Sequence, residues 1–127
     1  MTVSQPRQDR HYPVTAVCCI ILSLMKVEHW EPDRDGKLST HAMRRKLEEL
    51  GYSVGSYTYP PGTFFPTHTH PVDKIDAVLS GRFVISMGND LVVLEAGDFI
   101  YVPKGAAHSA EVVGDEPVVS LDAVKTD

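Results

Sequence analysis

His68 and His70 stand one residue apart in the stretch Pro61-Gly62-Thr63-Phe64-Phe65-Pro66-Thr67-His68-Thr69-His70. On a strand, positions two apart point to the same face, so both imidazoles reach toward one point in space. A third histidine, His108, closes the stretch Gly97-Asp98-Phe99-Ile100-Tyr101-Val102-Pro103-Lys104-Gly105-Ala106-Ala107-His108. Three imidazoles converging inside a small β-domain would hold a divalent metal ion, and the positions left open on that ion would decide the chemistry. The alternative is three pocket histidines with no metal. His11, His29 and His41 fall outside these stretches and are expected on the surface.

The elements that must carry these histidines are strands. From Tyr52 onward, short runs rich in Val, Ile, Tyr and Phe alternate with Gly, Pro, Asn and Asp every eight to twelve residues. The pattern predicts strands near 52–59, 64–70, 75–79, 82–87, 91–94, 99–103, 107–113 and 117–124, with turns between them. Many short strands with regular turns make an antiparallel sandwich or barrel, an all-β fold. One short helix precedes it. Ser39 or Thr40 caps its start, Met43, Leu47 and Leu50 recur near helical spacing, and Gly51 stops it. Met43, Leu47 and Leu50 are expected to pack on the outside of a sheet. Residues 25–38 carry Pro32, Asp33, Asp35 and Gly36 and read as turn and loop. The expected organisation is an N-terminal extension over 1–24, a lead-in loop and helix over 25–51, and a barrel over 52–127.

With 127 residues and a net charge of −5, the chain suits one domain and is a poor partner for a nucleic-acid backbone. The basic run Arg44-Arg45-Lys46 lies in the expected helix beside Glu48 and Glu49 and reads as a solvated face. The two cysteines, Cys18 and Cys19, are adjacent, which suits neither a strain-free bridge nor a disulfide framework. The apolar run over 14–25 is too short to span a bilayer. Arg7, Arg10 and His11 before it loosely imitate a signal peptide, but no small-residue cleavage site follows. The expectation is a cytoplasmic protein whose domain starts naturally at Met25, with export as the alternative.

The two histidine stretches resemble the two motifs of the cupin superfamily. The first motif runs Gly, five residues, His-x-His, three or four residues, Glu, six residues, Gly; here Gly62, His68, His70 and Gly81 stand in that order. The second runs Gly, five residues, Pro-x-Gly, two residues, His, three residues, Asn; Gly97, Pro103, Gly105 and His108 match it without a gap. The resemblance covers about residues 52–124 and is similar to the compact single-domain cupins of bacteria, of RmlC-like jelly-roll fold. It implies a double-stranded β-helix, with a divalent metal (Fe, Mn, Zn or Ni) on His68, His70 and His108. Two motif positions depart from the pattern: Lys74 stands at the glutamate and Val112 at the asparagine.

Lysine is a poor ligand near neutral pH, because its ammonium repels the cation. Asp76 has the same strand parity as Lys74. It is a candidate fourth metal ligand or base; alternatively it pairs with Lys74, or it faces solvent in a different register. Asp73 reads as a turn residue more than a ligand. Tyr101 joins Asp76 as a candidate for moving a proton, and Tyr57, Tyr59, Ser86 and Ser109 are further polar candidates. Phe64, Phe83, Ile85, Met87, Val93 and Phe99 read as core or pocket wall, which suits a small organic ligand. The expected function is metal-dependent catalysis on a small organic substrate, of dioxygenase type or of isomerase or decarboxylase type. The alternative is a non-catalytic small-molecule-binding module. The expected partner is a second copy in a homodimer, joined through the strand near 52–59 or the run at 116–121.

Overall fold

The computed structural model describes residues 25–126. Nine strands and two helices form among them: β1 (Lys26–His29), α1 (Pro32–Asp35), α2 (Thr40–Glu49), β2 (Tyr52–Tyr59), β3 (Phe64–His68), β4 (Lys74–Ser80), β5 (Arg82–Met87), β6 (Asp90–Leu94), β7 (Asp98–Val102), β8 (His108–Val113) and β9 (Val118–Lys125). They make two antiparallel sheets, one in the order β1-β7-β4-β9-β2 and one in the order β3-β8-β5-β6. The eight strands expected beyond Tyr52 all form, with ends within two residues of the expected ones. The result is the all-β jelly roll, a double-stranded β-helix with a short helix at its N-terminal side.

Strand alternation sorts the side chains into two cores. Val78 of β4, Ile100 and Val102 of β7 and Val118 of β9 face the second sheet, where they meet Phe83, Ile85 and Met87 of β5 and Ala110 and Val112 of β8. The intervening residues Ile75, Ala77, Phe99, Leu121 and Ala123 face the other way and pack under Met43 and Leu47 of α2. The five-stranded sheet is therefore the middle layer, apolar on both faces, with the helix on one side and the four-stranded sheet on the other.

Ser39 caps α2, its hydroxyl oxygen accepting from the Ala42 N–H at 3.0 Å. Met43 and Leu47 are fully buried, each burial stabilising by about 1.5–3 kcal/mol. Leu50, expected to pack with them, is 41 % exposed: it is the C-cap residue, at the open end of the helix. The basic run is tied down locally. Arg44 donates to the Val54 carbonyl, Arg45 pairs with Glu49 and Lys46 pairs with Asp35.

The stretch read as turn and loop over 25–38 contains more structure than its composition indicates. Residues 26–29 pair with β7 as the edge strand of the larger sheet, and Pro32–Asp35 closes one helical turn. Four residues are too few for a visible alternation, so only the tertiary pairing identifies β1. Beyond it, the Trp30 N–H donates to the Gly97 carbonyl, and a Cβ on Gly97 would sit 2.9 Å from that of Trp30. That close approach and a φ of 94° explain the glycine. Phe64 corrects another expectation. It is 58 % exposed on the outer face of β3, while Phe65 turns inward against Tyr59 and Phe83. Phe99 is core, but under the helix and not between the sheets. The cysteine pair, the apolar run over 14–24 and His11 lie outside the described residues.

Candidate metal centre

β3 and β8 bring two of the three histidines face to face. His68 is the cross-strand partner of His108, and His108 is in turn the partner of Met87 on β5. The register of β3 slips between Phe65 and His68, so that both side chains turn inward although they are an odd number apart. His70 lies past the end of β3, in the turn toward β4, and its carbonyl accepts from the Gly105 N–H at 2.9 Å. The convergence expected from strand alternation is thus reached partly by a bulge and a turn. The ring centroids lie 4.3 Å apart for His68–His108, 4.7 Å for His68–His70 and 5.1 Å for His70–His108. One ring nitrogen from each residue falls within 4.8 Å of the others.

Backbone carbonyls fix two of the three rings. His68 Nδ1 is 2.7 Å from the Pro66 carbonyl oxygen, and His108 Nδ1 is 2.9 Å from that of Ala106. A carbonyl only accepts, so each Nδ1 carries the hydrogen and each Nε2 keeps its lone pair free. This is the outer-shell arrangement that orients imidazole ligands on a metal. Burial lowers the His108 pKa below the ordinary histidine range. Burial lowers that of His70 too, and the Lys74 ammonium adds to the effect. Both effects favour neutral, ligating imidazole. The donor set therefore fits a divalent ion: three imidazole nitrogens, a locked tautomer on two of them, and no fourth His, Cys, Asp or Glu in the cluster among the described residues.

The opposite wall is the inner face of the five-stranded sheet. Lys74, at the motif's glutamate position, places its Nζ 2.5 Å from Asp122 Oδ1 of β9 as an ion pair. Asp76 sits directly across from Asp122 in the β4–β9 register. Because Ile75 and Ala77 pack under the helix, Asp76 shares the inner face with Val78. Burial pushes its carboxyl up to about 6, and the facing Asp122 carboxylate adds to the rise. Lysine thus pairs with Asp122, a residue that the sequence reading did not single out. Its signal was present: a lone acid with inward parity in an apolar strand needs a partner.

The remaining candidates scatter. Tyr101 alternates with Ile100 and Val102 and so lies on the helix side, packed edge-on against Phe99 with Lys26 over its ring. That takes it away from the histidines, on the far face of the sheet. Asp73 accepts from the Lys104 N–H at 2.7 Å and serves its turn. Ser86 and Ser109 are cross-strand partners that alternate with the inward Ile85, Met87 and Ala110, and so lie on the outer face. Val112, at the asparagine position, is a core side chain. Tyr57 and Tyr59 stack on the inner side of β2 with ring centroids 6.2 Å apart. His29 pairs with Asp98 at 2.6 Å on the surface, and His41 is exposed.

The model of the cupin domain family matches residues 55–124. The chain belongs to the cupin family. This cupin is 33 % identical over 70 residues to an uncharacterized protein of Streptomyces coelicolor, a match covering 55 % of this chain and 67 % of that one. Its structure is similar to that of the DMSP lyase DddQ of Ruegeria pomeroyi, with a TM-score of 0.55 and 27 % identity over 61 % of this cupin and 39 % of the lyase. It is also similar to an oxalate decarboxylase, with a TM-score of 0.53 and 29 % identity over 62 % of this cupin and 23 % of the decarboxylase. The match therefore spans well under half of either enzyme. No helix among the described residues is long and apolar enough to cross a membrane.

Proposed function

We propose that this cupin is a metal-dependent enzyme acting on a small organic acid, with His68, His70 and His108 as the metal ligands. The observation that carries the reading is the tautomer lock: two imidazoles hold their Nδ1 hydrogens on backbone carbonyls and present Nε2 inward beside the third. Three protein ligands leave positions open for substrate. A bound divalent ion (Fe, Mn, Zn or Ni) would supply Lewis-acid polarisation of a substrate oxygen, and iron would additionally open dioxygenase chemistry. The chain's own residues do the rest. Met87, the register partner of His108, and Ile85 beside it in the core would keep water from the apolar side of the histidine cluster. Asp76 takes or returns a proton; a carboxyl near 6 exchanges it readily around neutral pH. Similarity to a lyase and a decarboxylase supports bond cleavage over oxygen insertion as the reaction type.

The test is elemental analysis of protein purified without chelators, beside a His68→Ala/His108→Ala double variant. Near-stoichiometric metal in the wild type, absent from the variant, is expected. Metal-free wild type after incubation with each of the four ions would overturn the reading. Metal-loaded protein is then screened for turnover of small carboxylic acids.

One observation favours a second reading, a small-molecule-binding module without turnover: the position of the family's acidic ligand holds Lys74, ion-paired to Asp122. The His108→Ala variant separates the two, because an enzyme loses turnover while a metal-free binder keeps its affinity. For assembly we propose a homodimer through β2, whose outer edge has no strand beside it among the described residues. The run at 116–121 is a poorer candidate, since β9 is flanked by β4 and β2. Sedimentation that finds only 14.0 kDa species at micromolar concentration would overturn the dimer.

A further inference from the structure

Between the two tyrosines of β2 and the histidines, the inner face of the five-stranded sheet carries polar groups of which the metal reading uses only Asp76. Ser120 and Asp122 alternate on β9 with Leu121 and Ala123, which pack under the helix, so both side chains point between the sheets. Ser120 is 1 % exposed, and its hydroxyl has no hydrogen-bond partner among the described residues. Asp122 Oδ1 is buried as well, and Lys74 occupies it as an ion pair, which leaves Ser120 Oγ as the unpartnered atom of this wall among the described residues. Burying a hydroxyl without a hydrogen bond is unfavourable, so Ser120 Oγ is an acceptor and donor that a bound group or a water can satisfy.

The charges say which kind of occupant. Asp76 and Asp122 face each other across the strand pair, and Lys74 is the cation paired with them among the described residues. Two carboxylates and one ammonium leave the wall with an excess of acceptors. In the next position of β2, opposite Asp122, stands Gly55. The Tyr57 ring leans back over it, 3.1 Å from where a Cβ would be, and walls the patch on its outer side. The histidines lie close enough to exchange electrostatic influence with it: the Asp122 carboxylate acts on His70 and His108, and His68 acts on Asp76.

We infer that Asp76, Ser120 and Asp122 form a second subsite, which takes an N–H or O–H donor group on the far end of the small acid whose carboxylate binds at the histidines. This deepens the proposed function and rests on it for the carboxylate end. The substrate class is then a short carboxylic acid with an amino or hydroxyl group a few bonds from the carboxylate. Lys74 holds Asp122 in place and sets the number of free acceptors, so the residue that departs from the family motif becomes a specificity determinant.

Calorimetric binding of three probes that share a three-carbon chain tests this: propionate, 3-hydroxypropionate and 3-aminopropionate. Each runs against zinc-loaded protein whose metal content is measured in the same sample. One hydrogen bond to a buried charged acceptor corresponds to about tenfold in affinity or more. One or both donor-bearing probes are expected to bind at least about tenfold tighter than propionate, and the stronger of the two identifies the donor. Ser120→Ala and Asp76→Asn are expected to shrink that preference several-fold with zinc stoichiometry unchanged. Equal binding of all three probes to wild type, or a preference that survives both variants, would overturn the subsite, the latter because chelation alone then explains it. If wild type holds no zinc, the metal reading has failed by itself. The same titration on metal-free protein still decides the subsite, because its acceptors belong to the chain. Asp122→Asn is left out of the decision because it strands Lys74, and Ser120→Ala removes one hydroxyl with little else.

Discussion

At the residue scale, the histidines and Asp76 give the site two opposing pH dependences. Burial lowers the pKa values of His70 and His108, so on acidification the unfolded chain takes up protons before the folded one does. Stability from these residues is complete above the unfolded value of about 6.5 and falls as pH drops through it. Metal binding has the same sign, since protons compete for Nε2. We expect metal affinity to fall steeply between pH 7 and pH 5, measured by competition with a chromophoric chelator. Asp76 runs the other way. Its folded value of about 6 lies above the unfolded one, so its contribution is most favourable in acid and is lost as pH rises from about 4 to 6. Asp76→Asn should therefore raise stability at pH 8 by on the order of 2 kcal/mol and lose that advantage near pH 4, read from urea unfolding at the two pH values. A loss of stability at pH 8 would mean that the carboxylate is held by favourable bonds and not merely buried.

At the element scale, the hairpin between β4 and β5 depends on Gly81, which has a φ of 84°. A Cβ there would collide with the Pro117 carbonyl oxygen. Gly81→Ala is expected to cost more than about 1 kcal/mol, from the clash and from the left-handed backbone together, seen as a lowered Tm. The α2 cap offers a contrast. Ser39→Ala should cost about 1 kcal/mol without changing metal content, because the helix lies on the side of the five-stranded sheet away from the histidines. The barrel strands were legible because each alternates long enough to show its period. β1 was not legible, with only four residues, and Leu50 misled because helical periodicity does not show that the helix ends at this residue and leaves it half open to solvent.

At the scale of the whole molecule, the two sheets close on each other with the histidines on one inner wall and Lys74, Asp76 and Asp122 on the other. A ligand bound between them therefore couples to the entire fold. Binding to the folded state alone stabilises by about 2.7 kcal/mol when the free ligand is at a hundred times its dissociation constant. Zinc or manganese should accordingly raise Tm by several degrees in differential scanning calorimetry. His108→Ala should abolish that rise, since it removes the buried one of the three proposed ligands, at the end of the β3–β8 ladder. An unchanged rise in the variant would place the ion elsewhere.

The sequence by itself determined the fold class, the strands beyond Tyr52 in their order along the chain and which three histidines converge. Alternation, turn residues and motif spacing are local properties, and a chain of strands this regular has few ways to bury its apolar faces. What only the tertiary structure decided is which polar side chains share the interior. Tyr101 and Asp76 both lie in apolar strands, yet they point to opposite faces of one sheet. Asp122 lies 48 residues beyond Lys74 in the chain and meets it only because β9 pairs with β4. Strand parity says that a side chain turns in or out; which strand lies beside it is set by how the two sheets close, and that register partner made Lys74 the mate of an aspartate.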